Sequence, residues 1–254
     1  MSMKTDDRTY KEQFDLLTAN TNEYEQGIPF IEQTILPALP QQNRFLDIGA
    51  GRGSITKALS PNFNQTTIVE PNTLFFKGVS NWATETGVKM DGFNADWFNV
   101  DFPSSDIDLT MISHVLYYIP VEKRFQFVRK AYDTLNPGGY LVILLASVTS
   151  GSHHLWRHLL PMADYHSIPS IESVLADLRL EGYRDMALIL FDSEIKVKTR
   201  NEIQELIDFL VVEKMIFDNE EDIRKRDRYI DDYLTSDSGF AINDSFGVLS
   251  IRKS

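Results

Sequence analysis

An α/β fold with a doubly wound, mostly parallel sheet is predicted by three features of the sequence. Short apolar runs alternate with stretches of helical spacing between Arg44 and Leu145, the pattern of consecutive strand and helix units. One run, Phe45-Leu46-Asp47-Ile48, leads into Gly49-Ala50-Gly51-Arg52-Gly53 and then a helix, which delivers the end of a buried strand to a ligand. The most apolar run, Tyr140 to Leu145, lacks the alternation of a half-exposed strand and is placed at the sheet's centre. A sheet that opens on a strand, a glycine turn and a helix is Rossmann-like.

The elements follow in order. Tyr10 to Ala19 has amphipathic helical spacing, Thr21 to Glu25 reads as a polar turn, and a second helix spans about Ile28 to Leu36 before Pro37 and Pro40 end it. These helices precede the first strand, so they are expected to cover one end of the ligand cleft. After the glycine turn, Ile55, Ala58 and Leu59 share one helical face. Thr66 to Val69 is the second strand, ending at Glu70, and Thr73 to Thr86 is a helix. A third strand is expected over Val88 to Ala95, with Asp96-Trp97 at its end. The fourth, Ile107 to Ile112, enters Ser113-His114, and a helix from Val121 to Leu135 stops at Asn136-Pro137-Gly138-Gly139.

Beyond Ala146 the pattern loosens. A loop at Ser147 to Ser152, helices near His154 to Leu160 and Pro169 to Glu181, and a sixth strand at Ala187 to Lys198 are expected. Two polar helices, Glu202 to Phe217 and Glu220 to Leu234, precede a last strand at Gly247 to Ile251. Arg224-Lys225-Arg226-Asp227-Arg228 lies among acids and reads as a solvated helix face.

Composition narrows the function. With 254 residues and a formal charge of -12, the chain is long enough to bury a sizeable core and lacks the basic face of a nucleic-acid partner. A cationic or neutral small molecule suits it better. The absence of cysteine excludes disulfides, thiolate-bound zinc and cysteine nucleophiles. Met1 to Tyr10 are polar and no apolar run approaches the roughly 20 residues of a membrane span, so no membrane partner and a cytoplasmic location are expected.

A pyrophosphate-binding turn reads Gly-x-Gly-x-x-Gly with its helix N-terminus against the phosphates. Here Asp47 ends the strand instead, which repels pyrophosphate and suits a cationic or hydroxyl-rich ligand. Glu70 ends the next strand, where a carboxylate can accept both hydroxyls of a ribose. Asp47 and the Pro-Gly-Gly turn count against a nicotinamide oxidoreductase.

These residues together resemble the class I S-adenosylmethionine-dependent methyltransferases over roughly Arg44 to Ala146. Asp47, Gly49, Ala50 and Gly51 resemble the first glycine motif, and Glu70-Pro71 the acidic position on the ribose. Asp96-Trp97 resembles the pair that brackets the adenine, Ser113-His114 the cofactor-binding loop that lines the methionine side and faces the acceptor, and Leu135 to Tyr140 the Leu-x-Pro-Gly-Gly turn. Outside the core, Thr21-Asn22-Glu23, Met111 to Tyr118, and Thr149 to Ser152 followed by Leu155-Trp156 are similar to the histamine N-methyltransferase group.

The resemblance implies a seven-stranded sheet with an antiparallel last strand, and a single methyltransferase domain over 1–254. Within it, 1–40 is the helical cap, 41–147 the cofactor-binding core, and 148–254 a substrate-side lobe with a helical insertion and the last strands. It implies S-adenosyl-L-methionine as cofactor, a small-molecule methyl acceptor and no metal. N-methylation of an amine or imidazole is the expected reaction; O-methylation of a hydroxyl or carboxylate is the nearest alternative, and a non-catalytic nucleotide-binding protein the alternative of another class. An acidic residue of the cap would hold the substrate: Glu23 is the nearest match, with Glu25 close by. Glu23 and His114 are the candidates for proton acceptor. Phe14, Tyr24, Tyr117, His153 and Trp156 are the other candidate acceptor contacts, because an aromatic face attracts a cation. His154 and His158 stand one helical turn apart, a spacing that would permit two ligands on one face, but no Glu follows His154 in the zinc-protease pattern and the resemblance calls for no metal, so a substrate-lining or polar loop is the expected reading. The Ser147 to His154 loop has the composition of a lid.

Overall fold

The computed structural model describes residues 7–102, 106–211 and 217–254. Two helices, α1 (Asp7–Asn20) and α2 (Glu23–Phe30), open the chain, and α2 continues through a wide turn at Ile31–Ile35. Then come β1 (Arg44–Ile48), α3 (Ser54–Leu59), β2 (Gln65–Val69), α4 (Thr73–Thr86), β3 (Met90–Phe93), β4 (Ile107–Ser113), α5 (Val121–Asp133) and β5 (Leu135–Ala146). The second part holds α6 (Gly151–Leu159), α7 (Met162–His166), α8 (Ile171–Leu180), β6 (Met186–Val197), α9 (Arg200–Leu210), α10 (Glu220–Tyr229), β7 (Thr235–Ser236) and β8 (Gly239–Arg252).

The sheet runs β3-β2-β1-β4-β5-β8-β6, with β7 paired to β8. β1 to β5 pair in parallel, and β8 is antiparallel to both of its long neighbours. The order reverses between β1 and β4, and in open α/β sheets the crevice outside the carboxyl ends of such strands is where ligands bind. The parallel, doubly wound architecture and the antiparallel last strand agree with the sequence pattern. Eight strands are present where seven are expected, because the short β7 folds back on β8.

Both faces of the sheet are covered, which explains the unbroken apolar character of β5. Val142, Leu144 and Ala146 enter one core with Phe45 and Trp156, while Leu141, Ile143 and Leu145 enter the other with Leu46 and Phe127. At the far end from the ligand crevice, the buried Asp108 carboxylate accepts from the backbone N–H groups of Asn43 and Arg44 and from Gln41 and Asn136. This ties the cap exit to the Asn136-Pro137-Gly138-Gly139 segment.

Several boundaries differ from the sequence expectation, each for a local reason. The Pro-Gly-Gly segment lies within β5 as an irregularity: the pairing to β4 shifts between Ile107 and Leu109, and a Cβ on Gly139 would stand 2.9 Å from the Asp108 carbonyl oxygen. Glu23 opens α2 instead of lying in a turn, and α6 begins at Gly151 because the Ser150 side chain caps it through His153 N. Residues 147–154 could be a lid or an ordinary ordered connection from sequence, and their contacts are those of an ordered connection. Ser147 is fully buried, and its hydroxyl and the Val148 N–H both donate to Glu172, which pins the loop to α8. The last strand is far longer than Gly247 to Ile251, since β8 pairs with β6 from Phe240 onward despite the polar run Asn243-Asp244-Ser245. α9 starts at its Thr199–Glu202 capping box and is described to Leu210; the expected continuation over 212–216, like residues 1–6, lies outside the described residues. No described helix is long and apolar enough to cross a membrane.

Candidate active site

A cavity of about 570 Å³ opens at the carboxyl ends of β1, β2 and β4 and runs under α1 and α2 to β8. Its first end is built by the glycine turn. Gly49, Gly51 and Gly53 all hold positive φ, at 77°, 53° and 78°, so a non-glycine residue there would be strained. A Cβ on Gly49 would also stand 2.3 Å from Val115 Cγ2, which keeps the turn tight against the end of β4. The Glu70 carboxylate is buried and fixed by two backbone donors, Gly51 N at 2.8 Å and Asn72 N at 2.7 Å. It faces the cavity with its negative charge already oriented.

Asp47 is buried too and receives the Thr56 hydroxyl at 2.5 Å. Burial pushes its carboxyl up to about 6 against the lowering effect of that hydrogen bond. Asp96 accepts from Phe98 N at 2.8 Å, which caps the short turn at Trp97–Asn99. Asp47, Gly49, Ala50, Gly51, Glu70, Pro71, Asp96, Trp97, Ser113 and His114 all line the cavity. Trp97 offers little free aromatic face, because its ring is 2% exposed and Lys130 Nζ sits 4.4 Å over it.

α1 roofs this end. The Phe14 ring lies 3.3 Å from where a Gly51 Cβ would be, and Arg52 of the turn reaches back to Asp15 at 3.0 Å and Thr18 at 2.7 Å. Beside it, Tyr10 donates to the Tyr118 hydroxyl at 3.1 Å across the cavity mouth.

The second end is assembled from distant segments. Asn22 anchors the α1–α2 junction to β6: its Oδ1 accepts from Ser193 Oγ and Glu194 N, both at 2.9 Å. Glu23, the next residue, is thereby held inside the protein, where its Oε1 lies 2.5 Å from His114 Nε2. His114 has φ of +56°, the sole positive value among described non-glycine residues. Such a conformation costs on the order of 1–3 kcal/mol and persists only where its surroundings over-determine it. Here those surroundings are Glu23, a stacked Tyr117 ring at 5.7 Å and the edge of Phe246 at 5.4 Å.

Asp244 of β8 completes this end. It is buried, takes the Ser152 N–H at 2.7 Å and the Ser152 hydroxyl at 2.8 Å, and has its carboxyl raised to about 6. Burial is the main cause, opposed by the Ser152 hydrogen bonds; the Glu23 charge raises it further and His114 lowers it. Tyr24 and Tyr117 are half-buried, desolvation pushes both phenols up, and Tyr117 accepts from Ala146 N at 2.8 Å.

Of the acceptor candidates, Phe14, Glu23, Tyr24, Tyr117 and Trp156 stand on the cavity wall. His153 does not. Its ring packs 4.7 Å from Trp156 on the side away from the cavity, next to Tyr165, and burial lowers it to about 4. The helical spacing of α6 explains the correction: His153 follows Ser152 by 100° and so points elsewhere. Ser152, Asp244, Phe246 and Phe209 line the cavity without being singled out by sequence, since an isolated Asp in a polar run carries no signal of burial.

Residues 45–139 match the family model described as a methyltransferase domain. That segment of the chain is a methyltransferase domain. No protein of curated function aligns with the sequence. Among solved structures, a provisionally assigned methyltransferase of Bacillus halodurans superposes with a TM-score of 0.65 at 14% identity, covering 89% of this chain and 99% of that one. A SAM-dependent methyltransferase of Archaeoglobus fulgidus gives 0.52 at 20% identity, covering 91% and 94%. The [4+2]-cyclase SpnF gives 0.55 at 16% identity, covering 91% and 81%. At these identities the likeness establishes a shared fold, and the choice of reaction rests on the site.

The first end of the cavity fits the cofactor on its donor set. Two buried carboxylates and bare glycine backbone present negative charge and close approach, and the described turn has no cation to hold a phosphate apart from Arg52, which is engaged by α1.

Proposed function

We propose that this methyltransferase methylates nitrogen on a small amine or imidazole, and that Glu23, His114 and Asp244 receive the acceptor. The pairing of buried Glu23 with half-buried His114 carries the reading, because a carboxylate and an imidazole held together beside a cofactor site are suited to removing a proton. In the cofactor-binding half, Glu70 would hold the ribose, Asp96 and the backbone around Trp97 the base, and the Gly49–Gly51 turn the aminoacyl part. S-adenosylmethionine, when bound, supplies an activated methyl electrophile.

The chain's own residues then have three tasks. Tyr24, Tyr117, Trp156 and Phe246 form apolar walls that exclude water and attract a cation, an effect of about 0.5–2 kcal/mol per face. Glu23 and Asp244 both line the cavity and supply negative charge, which draws in a protonated amine. An amine attacks only as the free base, so its proton must leave. In the tautomer that donates Nε2–H to Glu23, the Nδ1 lone pair of His114 takes that proton, and Glu23 stabilises the imidazolium that results. Positioning in line can contribute on the order of 7–11 kcal/mol without any enzyme nucleophile.

Labelled-methyl transfer measured across small amines, imidazoles, phenols and carboxylates tests this. The expected product carries label on nitrogen, and its formation requires Glu23 and His114. Label confined to phenols or carboxylates would replace the reading with O-methylation. Cofactor binding by calorimetry with no labelled product in any class would instead favour a non-catalytic role, or chemistry of another kind on this fold.

A further inference from the structure

The acceptor and cofactor ends use His114 and leave the other histidines unexplained. Two of them, His154 and His158, stand one turn apart on α6, on the side opposite Ser152 and Trp156. Their ring centroids are 4.1 Å apart. Each ring has its Nδ1 engaged: His154 Nδ1 meets the Tyr229 hydroxyl at 2.8 Å, and His158 Nδ1 donates to the His154 carbonyl oxygen at 2.8 Å. A carbonyl only accepts, so in neutral His158 the proton is on Nδ1 and Nε2 carries the lone pair. No hydrogen bond among the described residues engages either Nε2. The carbonyl fixes the tautomer of His158, and the Tyr229 hydroxyl fixes the ring orientation of His154; an imidazole held in this way through its second nitrogen is how proteins prepare a histidine for a metal.

We propose that His154 and His158 form a two-imidazole site for a first-row transition-metal dication, separate from the methyl-transfer cavity. Among the described residues there is no group of three potential ligands, and water fills the remaining coordination positions of the proposed site. Nitrogen ligands select copper, nickel and zinc over magnesium or calcium, and copper binds tightest in this series. Tyr233 closes over both rings, its centroid 4.9 Å from His154 and 5.2 Å from His158. The same helix carries Ser152 and Trp156 to the acceptor wall, so an occupied site stabilises the element on which that wall is mounted.

Calorimetric titration of Cu²⁺ into the tag-free full chain at pH 7.5, with electron paramagnetic resonance on the one-to-one complex, tests the site. One equivalent is expected to bind with nitrogen couplings from two imidazoles. His158→Gln, an exposed position whose loss leaves the fold intact, is expected to weaken binding roughly tenfold or more, as is His154→Gln. Tyr229→Phe removes only the outer partner and is expected to cost about 10-fold, the usual scale for such a contact. His166→Gln, at the far end of α7, serves as control and leaves affinity unchanged. Wild-type affinity in His158→Gln, or a spectrum without two nitrogen ligands, would overturn the proposal. Neither result bears on methyl transfer, which is assayed separately.

Discussion

The two ends of the cavity are built in opposite ways. At the cofactor end, Asp47, Gly51, Glu70 and Asp96 come from one stretch of chain and are fixed by short-range donors: the Gly51 N–H bridges to Glu70 across 19 residues, and Phe98 N caps Asp96 across two. At the acceptor end, Glu23 and His114 are 91 residues apart and Ser152 and Asp244 are 92 apart. Three separate elements, the cap, α6 and the last strand, converge there on the end of β4. The difference teaches where variation is tolerated. A change at Glu23 or in β8 would, on the proposed reading, alter the acceptor without touching the glycine turn, whereas α1 of the cap packs on that turn through Phe14, Asp15 and Thr18.

The strongest test of that separation is to cut the acceptor end alone. Glu23→Ala and His114→Ala are each expected to lower kcat/KM by about 10²–10⁴, the range of a positioned acid or base. Cofactor affinity, measured by calorimetry, is expected to stay within about twofold, since neither side chain bonds to the glycine turn. Loss of cofactor binding in both variants would show that the two ends are one unit.

This separation also governs what could be read from the sequence. The parallel sheet, the interior position of β5 and the glycine turn were legible because each lies within one continuous segment whose apolar period or glycine content reports its own structure, although β4 and not β5 holds the centre of the sheet. α4 is an example: its start at Asn72 and stop at Gly87 are both written locally, the first as a side chain accepting from Leu74 N and Phe75 N, the second as a residue with φ of +73°. Asp244 was not legible. It sits in the polar run Asn243-Asp244-Ser245, which reads as a turn, and its burial depends on α6 being laid over β8. The placement of Glu23 depends similarly on Asn22 meeting the edge of β6.

Each end contains one buried aspartate raised to about 6, and this gives a second way to compare them. The folded-state value lies above the unfolded one near 3.8, so the folded chain holds the proton more tightly. The stabilisation is complete below about pH 4 and is lost as the pH rises through 6. At pH 8 the ionised form costs the fold on the order of 3 kcal/mol at each site. Asp47→Asn and Asp244→Asn are therefore expected to raise Tm relative to wild type at pH 8, with the gain shrinking towards pH 4. Function should divide them: Asp47→Asn weakens the cofactor, and Asp244→Asn raises the acceptor KM alone. A Tm difference that does not change between pH 4 and 8 would remove burial as the source of either shift.

Glu70→Ala cuts the cofactor end. It removes a carboxylate held by two backbone N–H groups and exposes those donors, so cofactor affinity is expected to fall roughly tenfold or more. With cofactor saturating, the acceptor KM should be close to wild type. A raised acceptor KM under saturation would mean that the glycine turn also positions Tyr24 or His114.

The smallest effect is expected at His153, and it bears on where the acceptor end stops. The ring lies behind Trp156, edge-on at 4.7 Å, and the indole itself is locked by its N–H donating to the Leu210 carbonyl oxygen at 2.5 Å. A substitution behind a locked wall changes packing without changing the surface that a substrate meets. His153→Phe keeps the aromatic volume and removes a base that burial holds neutral down to about pH 4. The acceptor KM is then expected to stay within about twofold. Stability should become less sensitive to acid, because the native histidine is lowered below its ordinary 6.5 and its neutral, folded form is lost as the pH falls from there towards 4. A large rise in KM with unchanged Tm would place His153 on the substrate after all, and would extend the acceptor end through Trp156 to Tyr165.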